Sequence, residues 1–351
     1  MSIIVLLICV LALYKFRFTK SGISEDYISI INTKKINGIF VLLVFFSHSI
    51  QYVNYSGNWY DSYGIFLINK IGQLMVTTFL FFSGYGIYES IKKKGNSYID
   101  NIPKNRIGNT LLKFDTAVII FYIVSCLIGI NYPIKRILLS LIGWDAVGNS
   151  NWYIFTILIL YTITYITFKL VKNNDFTRLC VITILTIIYI SVIRINKESY
   201  WYNTSLCYCF GMWYGLYRNI IEKKLCNNKN YYITLFILLI GFILSYLFKS
   251  REYIYCTSLV FTFLGIIVLL SMKLTINSKV LEFFGKNVFY IYIYQRIPMI
   301  VLKKLNLFSN NKYIFIICSL GITVLITIFF NRINELKKII NIKLKNEWRK
   351  K

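Results

Sequence analysis

The chain of 351 residues carries 40 lysines and arginines against 14 aspartates and glutamates, a formal charge of +26, yet 57% of it is hydrophobic and 18% aromatic. A mean hydropathy of +0.59 and long continuous apolar runs along the chain exclude a soluble domain, and runs without alternation exclude a membrane barrel. The positive charge lies in the short connections between runs, where it reads as a topology signal, so no nucleic-acid partner is expected.

Ser2–Tyr14 is a short apolar segment followed by Lys15, Arg17 and Lys20. Without a basic start or a small-residue cleavage site it is expected as a retained N-terminal span, within a segment covering residues 1–20. The central stretch is Ile36–Val53, INGIFVLLVFFSHSIQYV, with His48, the only histidine, near its end. As a helix it is about 27 Å long, close to the hydrocarbon thickness of a bilayer. Asn37 precedes His48 by eleven positions and Lys34 by fourteen, so at about 100° per residue all three fall on one stripe.

The second span is expected at about Ile68–Tyr88, the third to fifth near Leu111–Ile130, Trp152–Val171 and Leu179–Ile195. Ile134–Trp144 is too short to cross and is expected to lie at the interface or re-enter. The sixth to eighth spans are expected near Asn203–Ile221, Tyr231–Phe248 and Ile254–Leu274, a polar ninth at Val280–Leu302 and a tenth at Tyr313–Phe330. The expectation is thus an all-α, polytopic helical membrane protein: ten core spans in one domain over residues 33–330, one N-terminal span, and a basic tail over 331–351. Placing the Lys15–Lys35 connection in the cytoplasm puts 28 basic residues inside and 10 outside, with Lys286 and Arg296 inside the ninth span. That asymmetry is the positive-inside pattern, with the N-terminus outside and the tail cytoplasmic. The eight cysteines are scattered and mostly lie in apolar runs, which reads as packing; neither disulfides nor a metal site is expected.

NGIFVLLVFFSHS (Asn37–Ser49), FFSGYGIY (Phe81–Tyr88), NWYIFTILILY (Asn151–Tyr161), CFGMWYG (Cys209–Gly215) and VFYIYIYQ (Val288–Gln295) occur in this order. Together they resemble the acyltransferase 3 family of membrane-embedded O-acyltransferases. The resemblance runs from about residue 33 to 330. It implies about ten spans and transfer of an acetyl group from cytoplasmic acetyl-CoA to a sugar hydroxyl of a cell-surface polysaccharide or its lipid-linked precursor. The implied partners are a glycan acceptor and the bilayer of the cell membrane.

His48 matches the family's first-span histidine. The family pairs it with a basic residue eleven positions earlier; here that residue is Asn37, and Lys34 lies one turn below. Either Lys34 supplies the charge or Asn37 serves as a neutral hydrogen-bonding partner. Lys104 and Arg106, with Lys93 upstream, are the nearest equivalents of the family's basic loop element and are the candidates for CoA phosphates, which lysine and arginine pair with well. Ser83, Tyr85, Trp152, Tyr292 and Gln295 are the candidates for the acceptor, Gln295 standing where the family often has histidine.

The chemistry suits these residue types. Acyl transfer from a thioester to a hydroxyl needs a base of near-neutral pKa, which histidine supplies, and donors for the developing oxyanion. Each candidate also has a plain structural reading. His48 would satisfy an interhelical hydrogen bond, and Ser83-Gly84-Tyr85 would be a close-packing point of small residues. Trp152 and the tyrosines of the ninth span would be interfacial anchors, and the basic loop a topology signal. A glycan flippase or polymerase, or an inactive relative, is the rival function; the sequence lacks the repeated halves with interrupted helices common in transporters.

Overall fold

A computed structural model describes residues 2–53, 59–172, 174–248, 253–308 and 311–348. The helices in order are α1 (Ser2–Leu13), α2 (Ile30–Ser49), α3 (Trp59–Ile71), α4 (Thr77–Lys94), α5 (Asn96–Ile99), α6 (Asn109–Leu127), α7 (Ile134–Leu141) and α8 (Trp152–Leu170). They continue as α9 (Asp175–Asn196), α10 (Leu206–Leu225), α11 (Asn228–Phe248), α12 (Tyr253–Lys273), α13 (Lys279–Lys286), α14 (Val288–Tyr294), α15 (Arg296–Lys304) and α16 (Lys312–Trp348). Among the described residues the only sheet is a two-residue antiparallel pair, Arg17–Phe18 with Leu274–Thr275.

Eight helical stretches are long and apolar enough to cross a membrane, and the chain is a multi-pass membrane protein. Their outer faces are apolar: α11 buries only Tyr231 and Ser245 and leaves Phe236, Ile237 and Leu247 each more than 60% exposed. In water such a surface would aggregate; in a bilayer it is the lipid contact.

The expected ten plus one is not reached by this measure, for three local reasons. α1 has twelve residues, about 18 Å of helix, short of the roughly 30 Å hydrocarbon core. α10 is twenty residues long but carries Arg218, Glu222, Lys223 and Lys224 in its second half. The ninth stretch is three helices, broken at Asn287 and Gln295. Asn287 caps α13 with its backbone N–H on the Phe284 carbonyl, and its side chain donates to the Phe283 carbonyl at 2.8 Å.

The second stretch also departs from expectation, starting earlier as α3 and breaking at Gly72–Val76, a 3₁₀ turn. Gly72 has φ +46°, a conformation that glycine adopts without a Cβ penalty. At the other end of the chain, α16 runs on past Phe330 through Trp348. No glycine or proline lies between Ile322 and Trp348 to stop it, so the basic tail up to that point continues the last span; residues 349–351 lie outside the described residues.

Two close helix crossings organise the bundle. A Cβ on Gly84 of α4 would sit 2.0 Å from the Tyr208 carbonyl of α10, and one on Gly211 of α10 would sit 2.1 Å from the Phe81 carbonyl of α4. The second crossing holds α13 against α2: a Cβ on Gly38 would meet the Leu281 carbonyl at 2.0 Å, and one on Gly285 the Lys34 carbonyl at 1.7 Å. Lys34 faces Gly285 while Gly38 faces Leu281, so α13 runs antiparallel to α2. The chain then turns at Asn287, and α14 carries Tyr292 back along α2 toward His48.

Candidate active site

α2 starts cleanly because Ser29 accepts the Asn32 amide at 3.3 Å, an N-cap. It proceeds through a buried apolar run, Phe40–Phe46, and ends with His48 in its last turn. The side chain opens on a cavity of about 500 Å³ lined by Ser47, His48, Gln51, Gln73, Asn149, Ser150, Asn151, Trp152, Tyr200, Tyr292 and Arg296, with Val44, Gly72, Met75 and Val76 as its apolar part. The break at Gly72 places Gln73 on this wall, and the loop before α8 supplies the Asn149–Trp152 edge.

The polar groups around the imidazole are unusual in being left over. The Tyr292 ring lies 6.5 Å from that of His48 and packs edge-on against Tyr153 at 5.4 Å. Gln295 is fully buried and donates from Nε2 to the Tyr292 carbonyl at 3.1 Å, and Arg296 lines the cavity together with His48. Arg296 Nη2 donates to Gln51 Oε1 at 3.0 Å. Yet His48 Nδ1, Tyr292 OH, Gln295 Oε1, Arg296 Nε, Asn149 Nδ2 and Ser150 Oγ are buried without a hydrogen-bond partner. Buried polar atoms are normally satisfied, at a cost of about 1–3 kcal/mol each when they are not. Six such atoms around one cavity are what a preorganised site for a polar ligand would leave.

A second cavity, about 700 Å³, lies on the opposite face of α14. It is lined by Lys104, Lys113 and Lys286 together with Asn109, Thr116, Tyr290, Tyr294, Phe330, Asn331, Asn334 and Glu335, among others. Tyr290 and Tyr294 stack four residues apart on one side of α14, while Tyr292 turns to the other side, as the 100° step requires. α14, seven residues long, therefore contributes side chains to both cavities, Tyr290 and Tyr294 to one and Tyr292 to the other. Lys113 sits 5.5 Å from the Tyr290 ring centroid. Lys104 belongs to Pro103–Gly108, a stretch of π-helix, a form found often at functional sites.

The expected site residues divide. His48, Trp152 and Tyr292 line one cavity and Gln295 adjoins it, while Lys104 lines the other. Arg106 instead donates to the Tyr98 hydroxyl at 2.9 Å, and Lys93 is exposed at the end of α4. Ser83 is hydrogen-bonded to Tyr161 at 2.8 Å, and Tyr85 accepts from Arg218 at 2.9 Å. Both lie away from the His48 cavity, beside Gly84 at the α4–α10 crossing. Asn37 and Lys34 are about 16 and 21 Å along the helix from His48, so neither touches the imidazole; Asn37 Oδ1 is buried and without a partner. The cation beside His48 is Arg296. The sequence did signal it, since an arginine within an apolar stretch is costly unless it serves a site, whereas Asn149 and Ser150 sit in a connection, and Gln51 and Gln73, inside expected spans, carry no spacing pattern that ties them to His48.

The sequence profile of a family described as an acyltransferase domain matches residues 36–332, from the start of the apolar run of α2 to the middle of α16. Comparison with curated proteins finds no match, nor does comparison with solved structures. The matched region holds the whole lining of the His48 cavity and all of the second cavity's lining but its last three residues, 333–335, and the chain belongs to the acyltransferase 3 family of membrane acyltransferases.

Proposed function

We propose that the protein is an O-acyltransferase that moves an acetyl group from acetyl-CoA to a sugar hydroxyl of a cell-surface polysaccharide or its lipid-linked precursor. The observation that carries this reading is the pair of unlike cavities on the two faces of α14, one basic and aromatic, the other polar and built around the single histidine. Lys104, Lys113 and Lys286 suit the phosphates of CoA, for which ammonium groups are good partners. The positive-inside count supports an orientation with that cavity on the cytoplasmic side, where acetyl-CoA is made, His48 toward the outside, the N-terminus outside and the tail in the cytoplasm.

In the reaction, His48 accepts the proton of the acceptor hydroxyl as its oxygen attacks the thioester carbonyl. The tetrahedral oxyanion forms beside Arg296 and the Tyr292 hydroxyl, both able to donate to it. Collapse breaks the carbon–sulfur bond, and the CoA thiolate leaves with the proton held on the imidazolium. The pantetheine arm has to reach past α14 to bring the acetyl group to His48, and Asn37, with its unpartnered oxygen, lies along α2 between the two levels. Asn149, Ser150 and the amides of Gln51 and Gln73 suit the remaining sugar hydroxyls.

The test uses the full chain in lipid nanodiscs with radiolabelled acetyl-CoA and base-deacetylated surface glycan from the producing cells. The expected result is label in the glycan, reduced about 10²–10⁴-fold in His48→Gln, which keeps the size and hydrogen bonding of histidine but takes no proton at neutral pH. Unlabelled glycan with well-folded protein, or full transfer by His48→Gln, would overturn the reading.

A further inference from the structure

Beside the His48 cavity lies a cleft that the reaction just described does not use. It measures about 660 Å³ and is lined by Trp144, Asp145, Lys197, Glu198, Tyr200 and Trp201, among others. Asn151 and Tyr200 line both it and the His48 cavity, so the two spaces adjoin. Each is in the range of a small-ligand pocket, about 300–1,000 Å³, and together they exceed the needs of one sugar ring.

The cleft is rigid and aromatic. The Trp144 and Trp201 rings are 6.2 Å apart, and both are backed by Phe155, at 5.5 and 5.7 Å. Lys197 bridges them, its Nζ 4.2 Å and 4.4 Å from the two ring centroids and donating to the Trp144 carbonyl at 2.7 Å. Tyr200 is 42% exposed and is held edge-on to Trp152 at 6.1 Å, so Tyr200 and the half-buried Trp144 and Trp152 present aromatic surface from one cavity to the other, with the buried Trp201 as their support. Asn151 spends its amide hydrogens on the Gly143 and Asp145 carbonyls, at 3.0 and 2.9 Å, which holds the shared edge in place.

This combination fits carbohydrate. Sugar rings offer flat C–H faces that stack on aromatic rings and hydroxyls that bond to planar polar groups. Arg194 and Lys197 in the lining are matched by Asp145 and Glu198, so the cleft favours no sign of charge. We propose that it is an acceptor subsite holding the second and further rings of an uncharged oligosaccharide whose reacting ring sits beside His48. The proposal rests on the acyl-transfer reading for the position of the reacting ring, and it makes the substrate a glycan chain instead of a free monosaccharide.

The experiment is calorimetric titration of the full chain in nanodiscs, without acyl donor, with fragments of one, two and four sugars cut from the deacetylated surface glycan. Affinity should rise at least tenfold from one sugar to four, equally in wild type and His48→Gln. Trp144→Ala should abolish the gain with length while leaving single-sugar binding within twofold, and Trp144→Phe should retain most of it. Ala146→Trp, which fills the cleft without deleting a contact, should act like Trp144→Ala and guards against a folding defect in the latter. Affinity independent of length, no binding of any fragment, or equal losses for one and four sugars in both variants would overturn the subsite. Length-dependent binding by a protein that never acetylates the glycan would sink the acyl-transfer reading and leave the subsite standing; acetylation without length dependence would do the reverse.

Discussion

Asn37 and Lys104 show how single side chains separate function from packing. Asn37 Oδ1 is buried and unpartnered, so Asn37→Leu, close to it in size, removes a desolvation cost of about 1–3 kcal/mol. The expected outcome is a higher melting temperature in detergent together with slower acetylation, the trade seen where a polar group is kept for activity. Unchanged activity would free Asn37 from the mechanism. Lys104 and Arg106 are two residues apart, yet only Lys104 lines the basic cavity; Arg106 is turned to Tyr98. Lys104→Gln should therefore raise KM for acetyl-CoA about tenfold with little change in kcat, the signature of lost uniform binding. Arg106→Gln should leave KM alone and act, if at all, through expression; the reverse ranking in steady-state kinetics would move the donor site.

At the scale of elements, the bundle depends on backbones that touch. Gly84 and Gly211 let α4 and α10 approach until each helix meets the other's carbonyls, at distances no Cβ tolerates. In lipid, where apolar side chains gain nothing by leaving the solvent, such close van der Waals contact is a main source of helix association. Gly84→Ala should cost about 3 kcal/mol through overpacking and lower the yield of folded protein. Gly86, one turn-half away with nothing within 4 Å of its would-be Cβ, is the control. Gly86→Ala should raise stability by about 1 kcal/mol from helix propensity alone. Equal effects of the two in thermal unfolding would show that the crossing is looser than described. Near α14 the same logic serves the site: Gly38 and Gly285 seat α13 on α2, and the turn at Asn287 then aims Tyr292, Gln295 and Arg296 at His48.

For the whole molecule, the direction of the proposed transfer follows from the orientation of the chain, since His48 lies in the last turn of α2 and Lys286 of the second cavity follows Gly285, which meets Lys34 near the start of α2. The expected spans put 28 basic residues on the Lys34 side and 10 on the His48 side, and on the proposed orientation the Lys104 cavity meets the cytoplasm. Epitope tags inserted between Gly129 and Pro133, or fused before Ser2, should be accessible on intact cells. A tag between Lys94 and Asn96 should become accessible only after permeabilisation. The opposite pattern would invert the donor and acceptor sides and remove the rationale for a cytoplasmic donor.

Membrane class, most of the spans and the importance of α2 were legible in the residues, because in lipid every backbone group has to be satisfied within a helix and the required apolar length is set by the bilayer. His48 stood out for the same reason: a lone ionisable ring in an apolar run is costly without a purpose. Of the residues around it, Trp152, Tyr292 and Gln295 were named from the sequence, but the partner expected for the imidazole was not the one found. The stripe through Asn37 and Lys34 is real as helical geometry, but a shared direction over eleven residues is not a contact. The groups that surround the imidazole come from α14, α15 and the loop before α8, about 100 to 250 residues away in sequence. Which of two neighbouring basic residues lines the basic cavity was decided by how the Pro103–Gly108 turn faces its neighbours, and the polar ninth stretch became three helices, the first of them capped by Asn287. These depend on how helices cross, and crossing is set by small residues meeting backbone across the bundle, which periodicity within a single segment does not encode.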